Sequence, residues 1–216
     1  IIQTVCTALD YTHTQGVMHR DIKPGNILIE RQTNRVVLTD FGLAKSRNDE
    51  TLTATGFAVG TPAYMAPEQI TDQFGVDPDG RADLFSLGAV FYEMITGKHP
   101  FLGADDLKTM RAIVHTKPER PSVLEPSVPE SLEAIVFRML EKHPDNRYAS
   151  AKDAAEALDR WLKDREHTGQ MPAVKIPPPG EAGGAKASPA AAPAPAPPPP
   201  APAPRGGVSI PVLAGI

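Results

Sequence analysis

His19, Arg20, Asp21, Lys23 and Asn26 fall within eight consecutive residues, HRDIKPGN. A carboxylate, an amine and an amide at that spacing can handle a proton, face an anion and hold a hard cation from a single loop. His-Arg-Asp alone is a weak signal and equally describes a surface turn with one salt bridge. The downstream order is more specific: Asp40-Phe41-Gly42 comes next in the chain, then Ala66-Pro67-Glu68.

A loop of this kind needs rigid neighbours to hold it. Apolar side chains at Ile2, Val5, Cys6 and Leu9 recur at helical spacing, which predicts a helix over 2–13 with Gly16 as its stop. The branched runs NILIE (26–30) and VVLTD (36–40), with RQTN between them, predict a small hairpin. Asn26 would start one strand and Asp40 end the other, so that both face a site reached by Asp21 from the preceding loop. Residues 43–63 are polar, threonine-rich and aperiodic, the mark of a long loop of the functional or disordered kind. Helices are expected at 83–96, 105–115, 129–141 and 149–164. In the third of these, Leu132, Ile135, Val136, Met139 and Leu140 share one broad face, the pattern of core packing.

The 216 residues have room for one ordinary domain and a tail. A net charge of −4 gives no electrostatic reason to expect a nucleic-acid partner. The single cysteine, Cys6, cannot pair internally and fits a reducing compartment. No basic stretch followed by an apolar run opens the chain, so no signal peptide is visible. LFSLGAVFYEMI (84–95) is shorter than the roughly 20 residues of a membrane span and reads as a buried helix. Near Gly169 the composition changes: residues 172–204 hold 13 prolines and 11 alanines and no apolar period, as in an extended spacer. The expected organisation is a folded part over 1–165, a Pro/Ala-rich disordered linker over 166–207, and a short apolar tail over 208–216. That tail reads either as a frayed end or as the opening of a longer hydrophobic segment. Ile1 opens directly into a periodic segment and is not a methionine, so the expectation is a fragment of a longer product.

HRDIKPGNILI, DFGLAK, GTPAYMAPEQ and RADLFSLGAVFYEMITGKHPF together resemble the C-terminal lobe of bacterial, eukaryotic-like serine/threonine protein kinases, over about residues 1–165. The resemblance implies an α+β, kinase-like fold whose mainly helical lobe carries a small catalytic-loop hairpin, with the N-terminal lobe absent. It implies ATP and Mg²⁺, or Mn²⁺, as cofactors and protein substrates as partners, with a kinase homodimer as a further partner. Asp21 would receive or orient the proton of the acceptor hydroxyl and Lys23 would stabilise the phosphoryl group in transfer. Thr61 would bridge the two, and Asn26 and Asp40 would hold the metal. Leu28 would floor the adenine ring, or else be a strand residue facing the core. Arg20 is the regulatory candidate, able to pair with phosphate placed on Thr51, Thr53 or Thr55; those threonines are otherwise plain solvated loop residues. Glu68 and Arg147 resemble a bracing buried ion pair, and His19 and Phe41 part of a hydrophobic column anchored by Asp83. The proline-rich segment resembles the linker joining such kinases to a membrane helix, so a cytoplasmic lobe is expected, with anchorage only through a segment beyond Ile216.

Two departures are mild. Phe85 stands where many relatives carry tryptophan, and ITDQFGVDPDG is slightly long for the family. A larger one is that the 17 glycines include no G-x-G-x-x-G and only 20 residues precede Asp21, leaving no nucleotide-anchoring lysine. Little or no activity is therefore expected of these residues alone, and apolar surface should be exposed where the other lobe would pack. The competing reading is a non-catalytic binding or scaffold module, a truncated kinase or pseudokinase. Intact Asp21, Lys23, Asn26 and Asp40 argue against it. APEQ and the threonine-rich loop disfavour a third reading, a small-molecule phosphotransferase.

Overall fold

A computed structural model describes residues 1–41 and 62–168, with side chains to 165. The chain divides into two units, Ile1–Val174 and Lys175–Ile216, and everything described belongs to the first. Thr51, Thr53, Thr55 and Thr61, with residues 43–61 of the expected loop, lie outside the described residues, as do the linker and tail beyond 168. Residues 62 and 63, also expected in that loop, stand in a 3-10 turn, Pro62–Tyr64.

The described residues of the first unit form a mainly helical, mixed α+β lobe with a small hairpin. Helix α1 (Ile2–Thr14) is followed by strands β1 (Ile27–Ile29) and β2 (Val36–Leu38), then α2 (Pro67–Ile70) and α3 (Gly80–Thr96). After these come α4 (Asp106–His115), α5 (Pro121–Leu124), α6 (Glu130–Met139) and α7 (Ala151–Thr168). The strands pair antiparallel with Ile27 opposite Leu38 and Ile29 opposite Val36, and Asn34 makes the turn at φ 56°. They are shorter than the branched runs suggested. Asn26 stands in a 3-10 turn, Pro24–Asn26, where proline cannot enter a ladder, and does not itself begin the strand.

Helix α3 sits at the centre. Every residue from Ala82 to Tyr92 is buried, which explains why its sequence is apolar all round instead of striped. It begins three residues earlier than expected because the Asp79 carboxylate accepts from the Arg81 amide (2.8 Å) and caps it. Gly97, at φ 70°, ends it. Caps likewise set α4, where Asp105 accepts from Lys108 N (2.8 Å), and α7, where Ser150 Oγ accepts from Asp153 N (3.1 Å). Helix α7 runs to Thr168, four residues past the expected end. The turns α2 and α5, each four residues opened by proline, are too short to show a period.

Leu132, Ile135, Val136, Met139 and Leu140 are all buried, and α6 lies against α3. Ile2, Val5, Cys6 and Leu9 face inward where α1 meets α7, and burial pushes the Cys6 thiol up to about 12, so it is a packing residue. Gly88 lets α3 approach α6, since a Cβ there would stand 2.8 Å from Met139 Cβ. Gly88→Ala should therefore cost about 1–3 kcal/mol, because neither helix can retreat from a filled core. A urea titration of the variant reads that loss directly. Among the described residues no helix is long and apolar enough to cross a membrane.

Candidate active site

The loop between α1 and β1 is tied at both ends by buried groups. Asp83, in the first turn of α3, accepts from the backbone N–H of His19 (Oδ2, 2.8 Å) and of Arg20 (Oδ1, 2.8 Å). Its Oδ2 also lies 2.8 Å from His13 Nε2, so one buried carboxylate joins the end of α1, the loop and α3. Arg20 is held there at φ 63°, a left-handed conformation that costs a non-glycine residue about 1–3 kcal/mol. Asp40 has φ 55°. Among the described residues, two of the three non-glycine positions in this region of φ are therefore at the site, and at Arg20 the bond from its N–H to Asp83 holds the conformation.

His19 connects the loop to the end of β2. Its Nε2 donates to the Thr39 carbonyl (2.9 Å), and its Nδ1 accepts from the Asp21 N–H (3.3 Å). These partners select the Nε2–H tautomer: a carbonyl can only accept and an amide N–H can only donate. The ring packs on Phe41 with centroids 4.6 Å apart. Asp83 thus anchors main chain, and the His19–Phe41 contact lies beside that anchor.

Within the loop, Lys23 Nζ is 2.7 Å from Asp21 Oδ2. Asn26 Nδ2 donates to the Asp21 carbonyl (2.7 Å) and to Asp21 Oδ2 (3.0 Å). Both partners are acceptors, which orients the buried amide and leaves its Oδ1 as the end able to meet a cation. The Thr39 N–H donates to the Asn26 carbonyl (2.9 Å), extending the hairpin ladder and setting Asp40 one residue beyond that bond. An amide oxygen and a carboxylate suit a magnesium ion, which keeps its other positions for water and phosphate. Leu28 is 52 % exposed on the hairpin, which excludes the reading in which it faces the core.

Arg20, Asp21, Lys23, Tyr64, Met65 and Gln69 line a cleft between this loop and the segment 62–69. The segment is pinned from below. Ser86 Oγ lies 2.6 Å from the Tyr64 carbonyl, and Gln69 Oε1 accepts from the Ala66 N–H (2.8 Å). Tyr64 OH donates to Glu93 Oε2 (2.6 Å). Burial, and then that carboxylate, hold the phenol protonated well above the ordinary tyrosine range. Behind the segment, Arg147 Nη1 and Nη2 meet Glu68 Oε1 and Oε2 at 2.6 and 2.7 Å. The two side chains are 0 and 1 % exposed, and Arg147 also donates to the carbonyls of Arg81, Glu141 and Lys142.

His13, Thr39, Gln69 and Ser86 help to position the site and did not stand out in the sequence. His13 acts through the Asp83 carboxylate, Thr39 through its own main chain, Ser86 through the Tyr64 carbonyl and Gln69 through the nearby Ala66 amide, and none of these residue types is diagnostic by its spacing.

Residues 1–161 match the family model described as the protein kinase domain. Among curated proteins, the chain is 39% identical over 193 residues to serine/threonine-protein kinase PknH of Mycobacterium tuberculosis, an overlap of 83% of this chain and 30% of that protein. It is 38% identical over 194 residues to serine/threonine-protein kinase PknB of Mycolicibacterium smegmatis, covering 88% and 30%. With a probable serine/threonine-protein kinase of Streptomyces coelicolor the figures are 37% over 160 residues, 73% and 23%. The chain spans less than a third of the length of these relatives.

Proposed function

The chain belongs to the protein kinase family, and from that premise we propose that it carries the catalytic loop, metal ligands and substrate-facing segment of an ATP-dependent protein serine/threonine kinase. The observation that carries this reading is the Asp21 carboxylate, shared by Lys23 and Asn26 on one wall of a cleft whose other wall is the segment 62–69. A serine or threonine hydroxyl entering that cleft would meet Asp21 as its proton acceptor. Lys23, already drawn to Asp21, would place positive charge beside the phosphoryl group in transfer. Asn26 and Asp40 would hold magnesium, which when bound neutralises phosphate oxygens. Thr61 would bridge Asp21 and Lys23, and the exposed Leu28 offers an apolar surface for the adenine ring.

Arg20 is the group that would pair with phosphate on Thr51, Thr53 or Thr55 and so order the loop that carries them. Glu68, Arg147, Asp83, His19 and Phe41 hold alignment. The kinase lobe would work in the cytoplasm, where ATP is supplied. The 216 residues by themselves would transfer little phosphate, because they contain no glycine-rich loop or its lysine to fix the nucleotide.

The test is transfer of the γ-phosphate of labelled ATP to a protein substrate by the complete product of the gene. Phosphoserine or phosphothreonine should form with magnesium and not with EDTA. Nucleotide binding with no transfer to any protein under these conditions would overturn the enzyme reading in favour of a binding module.

A further inference from the structure

Lys142 follows α6 and has no part in the chemistry above, yet its ammonium sits at a junction. Its Nζ donates to the Ile113 carbonyl (2.5 Å), one of the last-turn carbonyls of α4 that a helix cannot satisfy internally. It lies 3.7 Å from the centroid of the Phe101 ring and 5.5 Å from that of Phe85, and those two rings stack at 5.7 Å. The main-chain carbonyl of Lys142 accepts from Arg147 Nη2 (3.0 Å), the guanidinium that grips Glu68.

From Phe101 a line of rings leads to the cleft. Phe101 meets His99 edge to face with centroids 6.4 Å apart, and His99 meets Tyr64 at 4.9 Å. Helix α4 also packs directly against Pro62–Tyr64 and against α2. Lys142 therefore touches the Phe101 ring at the head of that line and the last turn of the helix that packs on the segment.

We propose that Lys142 is a positioning residue for the segment 62–69, acting through Phe101 and the end of α4, and that gain or loss of its proton reseats that segment. Among the described residues it forms no ion pair with a carboxylate. Burial, and then the neighbouring Arg147, push its ammonium down to about 7, with Glu141 opposing. The groups that bear on it are Arg147 and Glu141 on its own stretch, Glu68 behind Arg147, and His99 on the far side of Phe101. Helix α4 presents the Ile113 carbonyl, with His115 in the same last turn, and α3 presents the Phe85 ring. Below neutrality the ammonium holds Phe101 and the Ile113 carbonyl together. Above it the charge is lost and with it the cation–π contact and the stronger bond. His99 is itself held below the ordinary histidine range by burial, so its own transition is separate and lies at lower pH.

The meaning of the segment for a protein substrate rests on the kinase reading. The coupling does not, and is measured without phosphotransfer, so the two fail independently. The experiment is an NMR titration of the 216-residue chain from pH 5.5 to 9.5, following lysine ¹³Cε, the His99 ring and backbone amides. One lysine, assigned to Lys142, should titrate near neutrality, far below the ordinary lysine range. The amides of Ala63, Tyr64, Met65 and the last turn of α4 should move with the same midpoint. Lys142→Arg, which keeps a charge and cannot lose it, should remove that component and leave the His99 transition in place. Titration of Lys142 together with the other lysines would overturn the proposal, as would amides at 63–65 that ignore its midpoint. The wild-type titration decides this even if the variant fails to fold.

Discussion

Asp21→Asn in the complete gene product should lower kcat for phosphotransfer by about 10²- to 10⁴-fold, the range for loss of a positioned general base. The exchange is nearly isosteric and leaves the main-chain bond from Asn26 Nδ2 to the Asp21 carbonyl (2.7 Å) untouched. It removes the anion that Lys23 Nζ meets at 2.7 Å and replaces an acceptor oxygen by an amide. Stability should change by under about 1 kcal/mol, because the Asp21–Lys23 pair is part-exposed and pairs of that kind contribute little. KM for ATP should stay near its original value, since Asp21 faces the acceptor and not the nucleotide in this reading. Single-turnover rates beside a thermal melt separate the two effects. A variant that transfers phosphate at the parent rate would remove Asp21 from the role of base.

Arg147→Met should destabilise the protein by about 3–5 kcal/mol. It leaves the Glu68 carboxylate inside the protein without a counter-charge. It also strips the carbonyls of Arg81, Glu141 and Lys142 of a donor. For a chain of this size that corresponds to a melting temperature lower by about 6–20 °C. The double variant Glu68→Gln with Arg147→Met should recover part of the loss, because most of the single-variant penalty is an unpaired buried charge and not the net value of the pair. A loss below about 1 kcal/mol for Arg147→Met would show that water reaches Glu68, contrary to its 1 % exposure.

How much of this was legible in the sequence differs by element. The five long helices among the described residues could be read from apolar patterning over several turns, as a stripe at Ile2, Val5, Cys6 and Leu9 in α1 and as a continuous apolar run in α3. Their ends shifted by a few residues wherever a cap decided the boundary, as Asp79 does for α3. The turns α2 and α5 were not readable, having four residues each and no period to detect. Asp21, Lys23 and Asn26 were visible as a unit because they lie within six residues, close enough for local backbone geometry to bring them together. Leu28 was ambiguous in the sequence, since alternation along three strand residues cannot say which face is covered.

The contacts that align the site have a different origin. Asp83 reaches the amides of His19 and Arg20 across 64 and 63 residues, and Arg147 reaches Glu68 across 79. The sequence by itself determined the chemical types in the catalytic loop, the family they belong to, and which stretches could form helices, because these depend on local order along the chain. Only the tertiary structure decided that one buried carboxylate holds the loop with Arg20 in a left-handed conformation, and that Lys142 sits between Phe101 and the end of α4. Each of those needs groups far apart in sequence to be desolvated together, and burial is a property of the packed fold and not of neighbouring residues.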